Sequence, residues 1–300
     1  MKRLSALIVA AALCFPSFGA MAWWQSIQQV AVSGGGGGAY SGVGDKFPGA
    51  GGAYGLRAYN AAYATGSNSA AIICDTATFA TCSTINILAN GDFDKATAAA
   101  SAACATACVV KSLTDQSGSG HTMTCAAAAS CATLVFNCNG TKPCLRFAGA
   151  AQYSTTFTES APVSYSIVAK RTSVVDYALV ISTSGNPFLG FNNTSGFAAA
   201  GSDTGILTLT AAENVFHSVQ STQAGSGTNV FVDNTTTSNS NTQGAPGATV
   251  FLGARSGAFS FTGDFEEAYF WSGSAMAGTD ATNVCRNQQT YWGFTGAGAC

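Results

Sequence analysis

The stretch VSYSIVAK, residues 163–170, decides the fold class of this chain. Val163, Tyr165, Ile167 and Ala169 alternate with a second set that includes two serines and a lysine, which is the period-two pattern of a β-strand. Further short apolar runs follow, separated by Gly, Asn, Asp, Ser and Pro. They predict more strands at residues 177–181, 188–191, 206–209, 216–220, 229–232, 250–253 and 265–271. Many short strands without alternating helices predict an all-β sandwich or barrel rather than a parallel α/β sheet.

The composition indicates a folded domain that carries little charge. Of 300 residues, 47% are apolar and only 9% are charged, whereas about 25% are charged in typical soluble domains. The 19 Phe, 9 Tyr and 4 Trp residues can supply a core and argue against disorder. The formal net charge is −2, and the 12 Lys and Arg residues are dispersed. Without a basic stripe to neutralise phosphates, no nucleic-acid partner is expected.

The N-terminus has the pattern of a secretory signal peptide, predicted at residues 1–22. Two basic residues precede a short apolar run at residues 4–13, and an Ala-Met-Ala cleavage site ends the segment at residues 20–22. This predicts a secreted, periplasmic or cell-surface protein. A buried N-terminal helix and a lipoprotein anchored through Cys14 are the two alternatives. No later stretch has about 18 unbroken apolar residues, so no membrane span is predicted.

The cysteines predict a set of local disulfides. Removal of Cys14 with the signal peptide leaves an even number of cysteines, as expected in an oxidising compartment. A metal site is the alternative, but the spacings and the two distant histidines do not fit metal ligation, so no metal is predicted. Five local pairs are the simplest connectivity: Cys74 and Cys82, Cys104 and Cys108, Cys125 and Cys131, Cys138 and Cys144, Cys285 and Cys300.

The chain divides into segments of different character. Residues 23–53 form a Gly-rich leader, and residues 54–133 form a disulfide-rich N-terminal subregion. A β-sandwich or barrel is expected over residues 134–275, followed by a C-terminal disulfide loop at 276–300.

Two places in the N-terminal subregion predict short helices. The sequence YGLRAYNAAY, residues 54–63, has apolar residues at helical spacing and is the best helix candidate. The Ala-rich stretch 96–107 predicts a second short helix, and residues 109–113 read as a strand.

Acidic residues are the first candidates for chemistry, because glycoside hydrolysis uses two carboxylates that flank the scissile bond. Asp264 and Glu266 lie two residues apart on a predicted strand, so they share one face and are the candidate catalytic pair. The alternative is a solvated sheet face. Asp115, in the run DQSGSGH, is expected to be a structural corner. His217 lies inside a predicted strand and is expected to be packed rather than catalytic.

Several motifs in order resemble the catalytic domain of α-L-arabinofuranosidase B, a secreted glycoside hydrolase with a jelly-roll sandwich. The resemblance covers about residues 54–271, and its most specific motif is Asp-Gln-Ser-Gly-x-Gly. The β-rich half also resembles laminin-G and concanavalin-A-like modules. The matching stretches are RAY at 57–59, the Cys104 to Cys108 spacing, DQSGSGH at 115–121, PCLRF at 143–147, FHSV at 216–219, NVFVDN at 229–234 and FTGDFEE at 261–267.

The resemblance implies positions for two catalytic carboxylates, and this sequence has none there. The family's nucleophile is a Glu just before an apolar strand that ends in Leu-Gly, which corresponds to residues 184–190. Its acid/base Asp follows another Leu-Gly, which corresponds to residues 252–257. Neither window contains Asp or Glu, so Asp264 and Glu266 would have to act as the catalytic carboxylates. Trp271 and Asn186 are the candidate substrate-binding residues, because sugars stack on aromatic rings and bond to amides. Core packing is the alternative for Trp271, because it lies in a predicted strand.

The sequence therefore predicts an all-β, concanavalin-A-like jelly-roll β-sandwich with a disulfide-rich N-terminal subregion and one or two short helices. The sequence predicts one of two functions. The first is a carbohydrate-active protein that acts on or binds arabinose-containing polysaccharide. The second is a non-catalytic glycan-binding or surface-interaction module that has lost the family's carboxylates. No cofactor is expected, and no Asp-rich loop demands the Ca²⁺ that many such sandwiches carry.

Overall fold

The structure is a computed structural model that describes residues 39–173, 178–185, 187–192, 196–202, 205–240, 244–255, 259–294 and 298–300. The predicted signal peptide, Cys14 and the first part of the Gly-rich leader lie outside the described residues. No helix within the described ranges is both long and apolar enough to cross a membrane.

The described residues form eighteen strands, all paired antiparallel, and two α-helices. The strands are β1 (Gly52–Gly55), β2 (Ser69–Asp75), β3 (Cys82–Asn86), β4 (Cys108–Leu113), β5 (Met123–Thr124), β6 (Thr133–Asn139), β7 (Lys142–Ala148), β8 (Tyr153–Thr156), β9 (Val163–Arg171), β10 (Ala178–Thr183), β11 (Phe188–Phe191), β12 (Gly196–Ser202), β13 (Gly205–Thr210), β14 (His217–Ala224), β15 (Gly227–Val232), β16 (Thr235–Asn239), β17 (Thr249–Leu252) and β18 (Thr262–Ser272). The helices are α1 (Lys95–Ala100) and α2 (Gly278–Trp292).

Strand β9 lies at the centre of the first layer of the sandwich. It pairs with β18 on one side and with β14 on the other, and β15 and β16 continue from β14. One face of β9 carries the apolar residues of the predicted alternation into the main core. The serine face is buried too. Gln288 of α2 lies against it and donates a hydrogen bond to Ser166. The strand that decided the fold class is therefore covered on both faces.

The second layer runs from β13 through β12, β11, β10, β17, β8 and β5 to β4, with β2 and β3 beyond it. Strands β6 and β7 connect it to the first layer, since β7 pairs with both β6 and β18. The prediction of an all-β sandwich is confirmed. The proposed boundary near residue 134 stays a prediction, and the β5–β8 pair runs across it.

The helix predicted at residues 54–63 is wrong. Strand β1 occupies its start, and a single 3-10 turn, Ala61–Tyr63, occupies its end. The reason is tertiary: β1 pairs with the edge of β18, with Gly52 opposite Phe270. A Cβ at Gly52 would lie 2.3 Å from the Phe270 ring, so glycine allows an approach that the helical spacing of nearby residues does not reveal.

The helix predicted in the Ala-rich stretch is confirmed as α1, followed by a 3-10 turn at Ala102–Cys104. Helix α2 was not predicted and lies within the segment expected to be only a disulfide loop. Its buried residues recur with helical spacing, and Gly293 ends it in the left-handed conformation with φ of 71°. The buried residues are Ala281, Val284, Cys285, Gln288 and Trp292.

All five predicted disulfides are present. Four of them lie between residues 74 and 144, where they close short loops among β2, β3, β4, β6 and β7. The fifth, Cys285–Cys300, ties the end of the chain to α2.

Candidate functional site

Asp264, one of the two carboxylates predicted to be catalytic, is a buried anion between two cations. Its side chain is 0% exposed, and Oδ1 accepts a hydrogen bond from Arg146 Nε at 2.8 Å. Lys170 Nζ lies 2.8 Å from Oδ2. Both carboxylate oxygens are therefore occupied by positive charge, and the group has no surface open to a substrate in this structure.

Glu266, the second predicted catalytic residue, lies at an irregularity in β18. The register against β9 shifts between Phe265 and Glu267, so the regular alternation that assigned Asp264 and Glu266 to one face is interrupted between them. Glu266 is 0% exposed, and neither carboxylate oxygen makes a hydrogen bond of normal geometry. Burial raises the pKa of Glu266 well above its usual value, and the neighbouring amide of Asn139 offsets this only in part. Burial thus favours the protonated form of this acid and closes it to solvent.

The next residue, Glu267, forms a buried bidentate ion pair with Arg57. Arg57 Nε lies 2.5 Å from Oε2 and Nη2 lies 2.8 Å from Oε1, and both side chains are 0% exposed. Tyr269 donates a further hydrogen bond to Oε2 at 2.9 Å. This pair connects β18 to the segment after β1 and is a structural contact.

The two predicted substrate-binding residues are not brought together. Trp271 is 0% exposed, and its indole N–H donates a hydrogen bond to the Phe47 carbonyl at 3.2 Å. The ring centroids of Trp271 and Phe47 are 4.9 Å apart. In this structure the ring belongs to the core beneath α2 and offers no face to a sugar. Asn186 lies outside the described residues.

Two other motifs have the structural roles that the sequence predicted. Asp115 is a corner: Oδ1 accepts from the backbone N–H groups of Ala53 and Ser117, and Oδ2 accepts from that of His121, at 2.9–3.0 Å. His217 is packed at 0% exposure, with Nδ1 2.7 Å from an Asp233 oxygen. Its Nε2 lies 3.1 Å from the Ala212 carbonyl, so neither ring nitrogen faces a serine nucleophile.

Within the described ranges, one group of residues has the ligand-atom spacing of a metal site: Cys138, Cys144 and Asp264. The two sulfurs are joined in a disulfide, so they are not thiolates and do not bind a metal as such. Asp264 is already ion-paired with both Arg146 and Lys170. The chemistry of this donor set therefore does not suit a metal ion.

Glu159 is a buried acid that the sequence analysis missed. It is 4% exposed, Tyr165 donates a hydrogen bond to its Oε2 at 2.8 Å, and Oε1 has no partner. Burial raises the pKa of Glu159 to about 7, although the Tyr165 hydrogen bond lowers it. A pKa near 7 suits acid–base chemistry, but glycoside hydrolysis needs two carboxylates. Among the described residues, no second carboxylate contributes to the pKa shift of Glu159. A lone Glu ahead of a strand carries no sequence signal that distinguishes it.

An open cleft of about 260 Å³ lies between α1 and the start of β7. It is lined by residues 92–96, residues 141–143, Leu88 and Tyr291. Asp92 is the best-anchored polar group in it: Lys142 Nζ lies 2.8 Å from Oδ1, the Tyr291 hydroxyl donates to the same oxygen, and Asn90 donates to Oδ2 at 2.9 Å.

Both carboxylates of the cleft already accept hydrogen bonds from other residues of the protein. Burial alone would raise the pKa of Asp92, but hydrogen bonds from Lys142 and Tyr291 outweigh burial and hold the pKa below its usual value. Asp94 caps α1, accepting from the Thr97 N–H at 3.0 Å and from its hydroxyl at 2.6 Å. Asp92 is therefore ionised at neutral pH and is poorly suited to act as a general acid, which needs a raised pKa. The cleft was not predictable from sequence, since Asp92 and Tyr291 are 199 residues apart.

The fold matches solved arabinofuranosidases. A crystal structure of an arabinofuranosidase complexed with arabinofuranosyl-α-1,2-xylobiose aligns with a TM-score of 0.60 at 14% identity, over 79% of this chain and 62% of that one. A GH54 α-L-arabinofuranosidase soaked with a cyclic sulfate inhibitor aligns with a TM-score of 0.62, with the same identity and coverages. This chain has the fold of the GH54 α-L-arabinofuranosidases. The GH54-like fold confirms the resemblance read from the motifs, although at this identity the likeness concerns the fold alone.

Three further findings bear on what the GH54-like fold implies. No protein-family model matches this sequence, and no curated protein matches it. The chain spans 62% of the length of the arabinofuranosidases that it matches. The windows that the resemblance assigned to catalytic carboxylates, residues 184–190 and 252–257, contain no Asp or Glu.

Proposed function

We propose that this protein is an exported carbohydrate-binding protein that holds arabinose-containing polysaccharide without cleaving it. The supporting observation is the state of Asp264, which is 0% exposed and ion-paired with both Arg146 and Lys170. A glycosidase needs one carboxylic acid and one carboxylate facing the same glycosidic bond. With Asp264 neutralised and Glu266 closed to solvent, the acids of β18 do not meet that need.

The arabinose-containing ligand is proposed from the GH54-like fold and from the arabinofuranosides present in two of the solved arabinofuranosidase structures. Export is proposed from the predicted signal peptide and supported by the five disulfides, which persist in oxidising compartments. Polysaccharide is an extracellular ligand, so the two proposals agree. Asn186 remains the predicted sugar contact.

Affinity electrophoresis in gels with embedded arabinan or arabinoxylan tests binding, with a gel lacking polysaccharide and a cellulose-derivative gel as controls. The protein should be retarded by the arabinose-containing polymers. Absence of retardation by any glycan would refute the binding function.

An assay with an aryl α-L-arabinofuranoside tests the alternative, hydrolysis. The wild-type protein should release no aryl alcohol above the uncatalysed rate. Release by wild type that is lost in Asp264→Asn or Glu266→Gln, with the variants still folded, would show that the protein is an enzyme. Asn186→Ala should weaken polysaccharide retardation without altering thermal stability.

A further inference from the structure

The polar groups that line the cleft next to α1 are held rigidly. Asp92 is fixed by three donors from Lys142, Tyr291 and Asn90. The Tyr291 ring is fixed in turn, with Lys142 Nζ 3.9 Å from its centroid and the guanidinium of Arg57 4.6 Å from it. Because Arg57 is locked to Glu267 at 0% exposure, this wall of the cleft rests on the core. Groups fixed before a ligand arrives lose little conformational entropy on binding.

The charges of the cleft balance. Lys95 and Lys142 contribute two positive charges, and Asp92 and Asp94 contribute two negative charges. An anionic ligand such as a phosphate or a uronate would gain from the lysines and lose to the carboxylates, and a cation would meet the reverse. A neutral ligand that both donates and accepts hydrogen bonds suits both kinds of group.

Hydrogen-bonding capacity remains at the surface of the cleft. An ammonium group has three N–H donors, and the described hydrogen bonds of Lys95, to Asn137 Oδ1 at 3.2 Å and to the Thr141 carbonyl at 2.8 Å, use two. A carboxylate accepts about four hydrogen bonds, and those described for Asp92 use three. Hydroxyl groups can accept from the ammonium and donate to the carboxylate.

Apart from Thr141, the rest of the lining is apolar. Leu88 is 37% exposed, and Phe93 and Pro143 are buried beneath the surface of the cleft. Such a wall suits the C–H face of a sugar ring. The volume, about 260 Å³, falls just below the range of about 300–1,000 Å³ found for sites that hold drug-sized molecules. One or two sugar rings would fill it.

We infer that this cleft is a sugar-binding subsite that takes a neutral pentose or hexose unit of the glycan. The inference rests on the proposed function and assigns a sugar-binding site to it. This site is separate from the carboxylates of β18 and from the windows at residues 184–190 and 252–257. The recognition chemistry is hydroxyl bonding to Lys95 and Asp92 with apolar contact to Leu88.

Substitution at Ala96 tests the site without removing a polar group. Ala96 lines the cleft and is exposed on α1, so Ala96→Trp should fill the cleft with its indole. Ala100→Trp is the matched control, because Ala100 is exposed on the same helix and does not line the cleft. Isothermal titration of an arabinan-derived oligosaccharide into each protein should show affinity reduced at least tenfold in Ala96→Trp and unchanged in Ala100→Trp. Lys95→Met, which removes the ammonium and its hydrogen bonds to Asn137 and Thr141 but leaves the Asp92–Lys142 pair intact, should reduce affinity several-fold.

The outcomes separate the two proposals. If wild type binds arabinan and Ala96→Trp and Lys95→Met, both folded by thermal melting, bind it as tightly, the cleft is not the subsite and the binding function still stands. If wild type binds no glycan, the proposed function itself fails. Tighter binding of an oligogalacturonate than of the neutral oligosaccharide would overturn the assignment of a neutral ligand.

Discussion

Replacement of Glu159 by Gln should change how the stability of the protein depends on pH. Glu159 is 4% exposed, and burial raises its pKa to about 7 from the ordinary value of 4.5, with the Tyr165 hydrogen bond opposing the increase. A pKa difference of this size corresponds to about 3 kcal/mol, since each pH unit is worth about 1.4 kcal/mol. Glutamine has the same shape, never ionises, and can still accept the hydrogen bond from Tyr165.

The sign follows from which state holds the proton more tightly. Because the folded pKa lies above the unfolded one, folding takes up a proton between pH 4.5 and about 7. The contribution of Glu159 to stability is therefore fully present below about pH 4.5 and falls as the pH rises to about 7. At pH 8 the buried carboxylate is ionised, and the wild-type protein has lost up to about 3 kcal/mol from this group.

Urea unfolding of wild type and Glu159→Gln at half-unit steps from pH 4.5 to 8.5 measures this effect. The variant should gain up to about 3 kcal/mol relative to wild type across that range, most of it between pH 5 and 7. Tyr165→Phe removes the hydrogen bond that lowers the pKa of Glu159. In that variant the loss of stability should therefore occur at higher pH than in wild type. Asp280→Asn, at a half-buried position in the first turn of α2, serves as a control for the removal of one carboxylate. A constant difference between wild type and Glu159→Gln at every pH would refute the reasoning.

Three further substitutions test the structural roles assigned above. Asp264→Asn should lower the unfolding free energy by about 2 kcal/mol, less than a fully buried pair because Arg146 is half exposed, and should leave glycan retardation unchanged. Glu267→Gln leaves the buried Arg57 without a counter-charge and should cost about 3–5 kcal/mol in urea unfolding. Gly91→Ala should lower the melting temperature more than Gly118→Ala. Both glycines have positive φ, of 84° and 87°, but a Cβ meets a tyrosine ring at 2.1 Å only at Gly91.

Where the sequence carried local and repeated information, prediction was accurate. The alternation at residues 163–170 predicts β9, and the short spacing of the cysteines predicts all five disulfides. The Ala-rich stretch predicts α1 because alanine favours the helix wherever tertiary contacts do not oppose it. These features depend on neighbours a few residues apart, which a single sequence displays directly.

Prediction failed where partners distant in sequence decide the structure. The apolar residues of 54–63 have helical spacing, yet Gly52–Gly55 forms a strand because it pairs with the edge of β18. Asp264 and Glu266 look like an exposed acidic pair on one face, yet both are buried, and Asp264 is neutralised by cations from β7 and β9. A strand register does not tell which neighbouring strand supplies the opposite charge.

The sequence by itself determined that this chain is a β-sandwich stapled by local disulfides, because strand periodicity and cysteine spacing are short-range properties. Only the tertiary structure decided what its acids do. The ionisation of Asp92, Glu159 and Glu266 depends on burial and on partners brought from elsewhere in the chain. Asp264 likewise lies buried between Arg146 and Lys170 only because the strands that carry them pack together. The same packing sets Asp92, Lys142 and Tyr291 around one cleft, although 50 residues separate the first two and 199 separate the first and last.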